Sequence, residues 1–185
     1  MILTLIKTVT ASNAASISFV DGTSSVVLDG TYDEYMFVMT DIGPADDNVN
    51  FGFQVNATDD AGGGYDTSLI TSSYFQALGY EDDSANALAY EVDADAAQSS
   101  SFVNLAHSLA NDADAAASGV FHLFVPSSTT FVKHFYSRLN IYGNTSYSST
   151  KFVAGYIDDT TAIDEIQFKM TGGNMDGVIQ LFGVA

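Results

Sequence analysis

Residues 119–142, GVFHLFVPSSTTFVKHFYSRLNIY, read as a β-hairpin. Val120–Val125 and Thr130–Tyr142 are dense in aromatic and β-branched residues, and Pro126-Ser127-Ser128 between them supplies a turn that fixes φ and removes a ladder donor. The two arms are expected to pair antiparallel. Strand side chains alternate with period two, so in the second arm Phe131, Lys133, Phe135 and Ser137 share one face and Val132, His134, Tyr136 and Arg138 the other. Both faces thus mix apolar with basic groups. Two of the five cationic residues and two of the three histidines, His122 and His134, fall in this hairpin of an otherwise acidic chain.

Working outward, runs of strand character recur at short intervals: Ile2–Val9, Ala15–Val20, Ser25–Leu28, Glu34–Thr40, Phe51–Asn56, Ser68–Leu78, Leu88–Val92, the hairpin, Lys151–Ile157, Glu165–Met170 and Gly177–Val184. Asp21-Gly22, Asp29-Gly30, Gly62-Gly63-Gly64, Gly143-Asn144 and Gly172-Gly173-Asn174 punctuate them with residues that tolerate positive φ. Strands at this spacing with such turns predict an all-β fold, a single antiparallel β-sandwich of jelly-roll type. Residues 1–185 are expected to make one domain, with residues 1–12 as a short N-terminal strand or arm. The alanines of 86–118 favour helix while their flanks favour strand. Within that segment Val103, Leu105, His107 and Leu109 alternate, whereas Phe102, Leu105, Ala106 and Leu109 keep helical spacing, and strand is the expected outcome.

With 185 residues the chain is long enough to bury a proper core, roughly 70% of its unfolded surface. It has no cysteine, so neither disulfides nor a thiolate metal site support it, which suits assembly in a reducing cytoplasm. The opening MILTLIKTV lacks a basic n-region and is broken by Lys7, so it reads as a first strand and not a signal peptide. No run approaches the ~18 apolar residues of a membrane-spanning helix, so no membrane insertion is expected. The net charge of −18, from 23 acidic and 5 basic residues, argues against binding nucleic acid through phosphates. Charged residues make up only 15% of the chain, below the usual ~25%, which leaves Ser, Thr, Asn and Gly to complete the surface.

The carboxylates cluster in loops, at Asp46-Asp47, Asp59-Asp60, Asp82-Asp83, Asp93/Asp95, Asp112/Asp114 and Asp158-Asp159. None has the spaced ligands and closing Glu of an EF-hand loop, so they read as solvated turn residues, and no metal is assigned. The histidines lack HExxH spacing, no GxSxG elbow occurs, and Gly62-Gly63-Gly64 is not followed by the Lys-Ser/Thr of a phosphate loop. No catalytic residue and no cofactor are therefore assigned, and the chain is expected not to be an enzyme. Exposed tyrosine beside Asp or Asn suits sugar contacts, which makes Tyr65, Asp66, Tyr142, Asn144 and Tyr147 the candidate glycan set.

Three long phrases carry a resemblance: ISFVDGTSSVVLDGTYDEYMFVMTDIGP (Ile17–Pro44), SGVFHLFVPSSTTFVKHFYSR (Ser118–Arg138) and AIDEIQFKMTGGNMDGVIQLFGVA (Ala162–Ala185). They resemble a family of small virion structural proteins of marine tailed bacteriophages, including cyanophages, some of which are labelled tail fibre. The resemblance implies a structural protein made in the host cytoplasm and placed on the virion surface, with other virion proteins as partners. A short chain without a shaft-forming repeat, too acidic for a DNA-filled interior, fits a capsid decoration or head-fibre module. The alternative is a tail-fibre or tail-tip adhesin that binds host surface glycans. Apolar residues on both faces of the hairpin further suggest a homo-oligomer, a trimer by analogy with phage surface modules or else a dimer. Its candidate interface is Phe131, Lys133, His134, Phe135 and Arg138.

Overall fold

A computed structural model of the protein describes residues 2–59, 65 and 68–185. Among them thirteen strands form and no helix, so none is long and apolar enough to cross a membrane. The strands are β1 (Leu3–Ala14), β2 (Ile17–Val20), β3 (Glu34–Pro44), β4 (Val49–Ala57), β5 (Leu69–Tyr80), β6 (Asn86–Tyr90), β7 (Ala96–Ser99), β8 (Val103–Leu109), β9 (Ala117–Phe124), β10 (Lys133–Gly143), β11 (Tyr147–Asp158), β12 (Ile163–Met170) and β13 (Met175–Val184). The paired strands run antiparallel throughout.

One long run orders β1-β13-β3-β9-β10-β11-β5, with β6 and β7 both paired to the far side of β5; a second orders β8-β4-β12-β2. They join where Gly143 of β10 pairs with Leu109 of β8. β1 and β2 lie at opposite ends of the pairing path, yet only Ala15 and Ser16 separate them in the chain. The sheet must therefore curl until its two ends meet, and the result is a nearly closed, barrel-like body.

Aromatic rings fill the interior and connect the two runs. Phe53 of β4 meets Phe121 of β9 at 4.7 Å and Phe135 of β10 at 4.9 Å, while Phe19 of β2 meets Phe37 of β3 edge-on at 5.2 Å. Tilted and edge-to-face contacts of this kind add to the burial of large apolar rings, which is the main drive to fold. The hairpin forms as expected, with Phe135 opposite Leu123 and Ile141 opposite Ala117. Residues 86–118 yield β6, β7 and β8 despite their alanines, because pairing with β5 and β4 overrides weak helical preference.

Two expectations need correction. Ser25–Leu28 is not a strand. Val26 and Leu28 are buried, but Val26 donates its N–H to the Thr23 carbonyl (3.0 Å) and Leu28 to the Asp21 carboxylate (2.8 Å), so the segment plugs the core as a turn instead of joining a ladder. Lys133 and Phe135 point into the core, at 0% and 2% exposure, and so do not contribute to an outward interface.

Candidate functional site

Alternation along β10 sends Lys133, Phe135, Ser137, Leu139 and Ile141 inward and His134, Tyr136, Arg138 and Asn140 outward. Antiparallel register then lines up the outward residues across the long run. One row reads Tyr90, Phe75, Phe152, Arg138, Val120, Val38, Gln180, Thr8. The Phe75 and Phe152 rings stack at 4.8 Å with 6° between their planes, and both Phe75 and Tyr90 stay exposed. A parallel row reads Tyr136, His122, Met36, Phe182, Leu5. There His122 stacks on Tyr136 at 4.3 Å and its Nδ1 lies 2.5 Å from the Glu34 carboxylate.

A third row, Leu88, Ala77, Thr150, Asn140, Ser118, has small side chains on either side of Asn140 and so leaves a hollow. Its cleft, about 450 Å³, is lined by Arg138, Asn140, Thr150, Phe152, Ser118 and Gly119 among others. It continues past Ser118 and Asn140 into a second cleft of about 450 Å³ that reaches Tyr142, Ser148 and Glu81. Asn140 Nδ2 donates to Ser148 Oγ (3.1 Å) and Thr150 Oγ1 (3.3 Å), which fixes the amide across the floor. Arg138 forms no ion pair among the described residues, so its guanidinium stands on an acidic protein with donors to offer a partner.

Of the expected interface residues, Arg138 and His134 lie on this outer face and Phe131, 72% exposed, lies in the loop before β10. The candidate glycan residues do not converge. Tyr142 borders the second cleft, and Asn144 donates its backbone N–H to the Ser108 carbonyl of β8 (3.1 Å). Tyr147 is buried against Gly143, where a Cβ would collide with its ring. Tyr65 donates to Ser18 Oγ (2.8 Å) beyond the long run, and Asp66 lies outside the described residues.

Sequence reasoning passed over the interior polar groups. Lys133 and Lys151 are both fully buried. Lys133 Nζ donates to the carbonyls of Asp159 (2.9 Å) and Thr161. Lys151 Nζ donates to Gln76 Oε1, which also accepts from Ser149 Oγ (3.0 Å), and Gln76 Nε2 reaches the Glu91 carboxylate at 2.5 Å. Lys151 Nζ is also 3.3 Å from His107 Nε2; an ammonium only donates, so that nitrogen accepts and the ring proton sits on Nδ1, 3.2 Å from Ser108 Oγ. Burial pushes the Lys151 ammonium down to about 8, against the pull of the Glu91 carboxylate, and burial followed by the Lys151 charge lowers His107. The signal was parity: Lys151 shares its face with Val153 and Ile157.

Glu91 and His107, fixed by that network, border a small cleft of about 210 Å³ with Asn50, Asp93, Asn104 and Ser108. Among the described residues no three His, Asp or Glu groups converge to hold a metal ion. The interior network therefore offers hydrogen bonds and charge compensation, and the outer face offers stacking surfaces, amide and hydroxyl groups and one guanidinium. No family model matches the chain, and no curated protein matches it.

Proposed function

We propose that this chain is a non-enzymatic structural module of a bacteriophage particle, seated on its surface as a capsid decoration or head-fibre protein and docked on another virion protein through the outer face of the long run. The observation that carries this reading is Arg138, unpaired among the described residues and set in the exposed row of Tyr90, Phe75 and Phe152. Aromatic residues and arginine are the types enriched where proteins meet, and an unpaired guanidinium gains most from an acceptor on the partner. The phrases at 17–44, 118–138 and 162–185 supply the phage context by resemblance alone. In this reading the nearly closed sheet is a flattened jelly-roll sandwich, supported by ring contacts from β4 to β9 and β10 across the interior. Gold-labelled antibody on purified virions tests it: label over the head is expected, and label confined to the tail, or none on the particle, overturns the decoration role.

A second reading, a glycan adhesin, is favoured by one observation, the pair of joined clefts whose floor carries the oriented Asn140 amide, Ser148 and Thr150, with Phe152 and Tyr142 at the flanks. Planar amides and hydroxyls beside rings suit sugar hydroxyls and their apolar faces. On a glycan array this reading expects a subset of host glycans to bind, with loss on Asn140→Ala. A blank array at high protein concentration removes it.

A further inference from the structure

Lys151 of β11 and Gln76 of β5 are partners in the antiparallel register, and both side chains are buried, together with that of Ser149. An amine therefore meets a carboxamide away from bulk water. Lys151 Nζ donates to Gln76 Oε1, and the Ser149 hydroxyl donates to the same oxygen at 3.0 Å. At the nitrogen end of the amide, Gln76 Nε2 lies 2.5 Å from the Glu91 carboxylate, while His107 Nε2 accepts from Lys151 Nζ at 3.3 Å. The Tyr147 ring, 5.8 Å from Nζ, and the Tyr74 ring, 5.4 Å from the imidazole, wall the group. The other buried lysine lacks this company, since Lys133 Nζ meets the backbone carbonyls of Asp159 and Thr161.

The parts of an acyl transfer are thus in one place. There is a nucleophile, an acyl carbon, a hydroxyl aimed at the oxygen where charge develops, a base at the nucleophile and a carboxylate at the leaving nitrogen. We propose that Lys151 and Gln76 close an intramolecular isopeptide bond between Nζ and Cδ, with Glu91 and His107 as proton carriers and ammonia as the leaving group.

The steps balance without an outside reagent. The ammonium gives one proton to His107 Nε2, which frees the nitrogen lone pair. The Nζ–Cδ bond then forms as the carbonyl pair moves onto Oε1, where Ser149 Oγ steadies the charge. Both nitrogens now sit on one carbon, so the Glu91 carboxylate can take the second proton from Nζ and hand it to Nε2. The carbonyl re-forms, the Cδ–Nε2 bond breaks with its pair on nitrogen, and ammonia leaves by the cleft that Glu91 and His107 border. One proton stays on the new amide, and His107 returns its own to solvent. Burial favours the first step, because it holds the Lys151 ammonium at about 8 and lowers His107, so free amine forms near neutral pH beside an imidazole in its base form.

The product ties β5 to β11 and closes residues 76–151 into a loop, which restricts the unfolded chain as a disulfide does. A chain without cysteine gains a covalent staple in this way, wherever it is docked. Closure also removes the Lys151 charge, so the pH-dependent stability that a buried ammonium confers belongs to the unreacted chain.

Intact-mass spectrometry of the full chain, held for days in mildly alkaline buffer, is expected to read one ammonia below the sequence mass. Tandem spectrometry of a digest should find the β5 and β11 peptides joined through Gln76 and Lys151. Lys151→Arg should keep the full mass, and Lys133→Arg should close at the wild-type rate. Glu91→Gln keeps an acceptor but cannot carry the proton, and should slow closure about 100-fold, with its fold checked by circular dichroism. Ser149→Ala provides a second slowed variant should Glu91→Gln disturb the fold. A full sequence mass after incubation, an ammonia loss that maps to other residues, or closure of folded Glu91→Gln at the wild-type rate overturns the proposal.

Discussion

Lys133 and Arg138 share one strand and face opposite ways, and their surroundings differ as the two faces of the long run differ. Lys133 is sealed inside and satisfied by the carbonyls of Asp159 and Thr161. Arg138 stands outside, opposite Phe152 in the strand register and without an ion-pair partner among the described residues. The contrast teaches that a cation's role follows its partners. Buried cations here are compensated by the fold and serve it, while the exposed one has binding capacity left over. The same division separates the inner rings, locked against one another across the body, from the outer stack of Phe75 on Phe152.

The inner face is where truncation should cost most. Phe53 touches Phe121 and Phe135 and is fully buried, so Phe53→Ala should lower stability by about 3–5 kcal/mol in urea denaturation. Phe152→Ala, which removes a half-exposed ring, should cost less than about 1 kcal/mol. Equal costs would break the division between the faces.

Next in size is a pH effect confined to the interior. Burial holds the Lys151 ammonium at about 8 in the folded protein, below its unfolded value near 10.5, so between those limits the unfolded chain binds more protons and stability rises with pH. The gain from pH 7.5 to 9 should be on the order of 1 kcal/mol. Lys151→Met should remove most of the slope and leave a remainder from Lys133, which burial lowers in the same sense against the pull of Asp159. Tyr35, raised by burial to about 12, and Tyr74, Tyr147 and Tyr65, raised by burial in the same sense, act oppositely as pH approaches the ordinary tyrosine range near 10, so the window closes below it. A flat profile in urea denaturation of the unreacted chain from pH 7.5 to 9 would mean that Lys151 is not held in this way.

The smallest effect on stability should come with the largest effect on contact. Arg138→Glu is expected to change stability by less than about 0.5 kcal/mol, since the side chain has no ion pair to lose. Under the proposed virion role, co-sedimentation of added protein with particles stripped of it should nevertheless fall more than tenfold, the size expected for a central arginine at an interface.

Much of this fold could be read from the chain because strand pattern and turn chemistry are local. The hairpin, the long outer strands and the side-chain parity within β10 all follow from neighbouring residues. The losses were tertiary. Ala96–Ser99 has no strand character of its own and becomes β7 through pairing with β5. Ser25–Leu28 looked like a strand, but the bond from Leu28 N–H to Asp21 drew its backbone into a turn. Parity put Lys133 and Phe135 together with Phe131, yet which face turns inward depends on the opposing β4 ring, which no local pattern announces. The outer rows were hidden for the same reason, since Arg138 meets Phe152 and Val120 only through register.

The most direct test of the proposed docking face is hydroxyl-radical footprinting of the wild-type protein, free and on the virion proposed to carry it, read by mass spectrometry. Phe75, Tyr136 and Phe152 should be labelled in the free protein and protected on the particle. If all three are modified to the same extent in both states, the outer face of the long run is not where this protein is held.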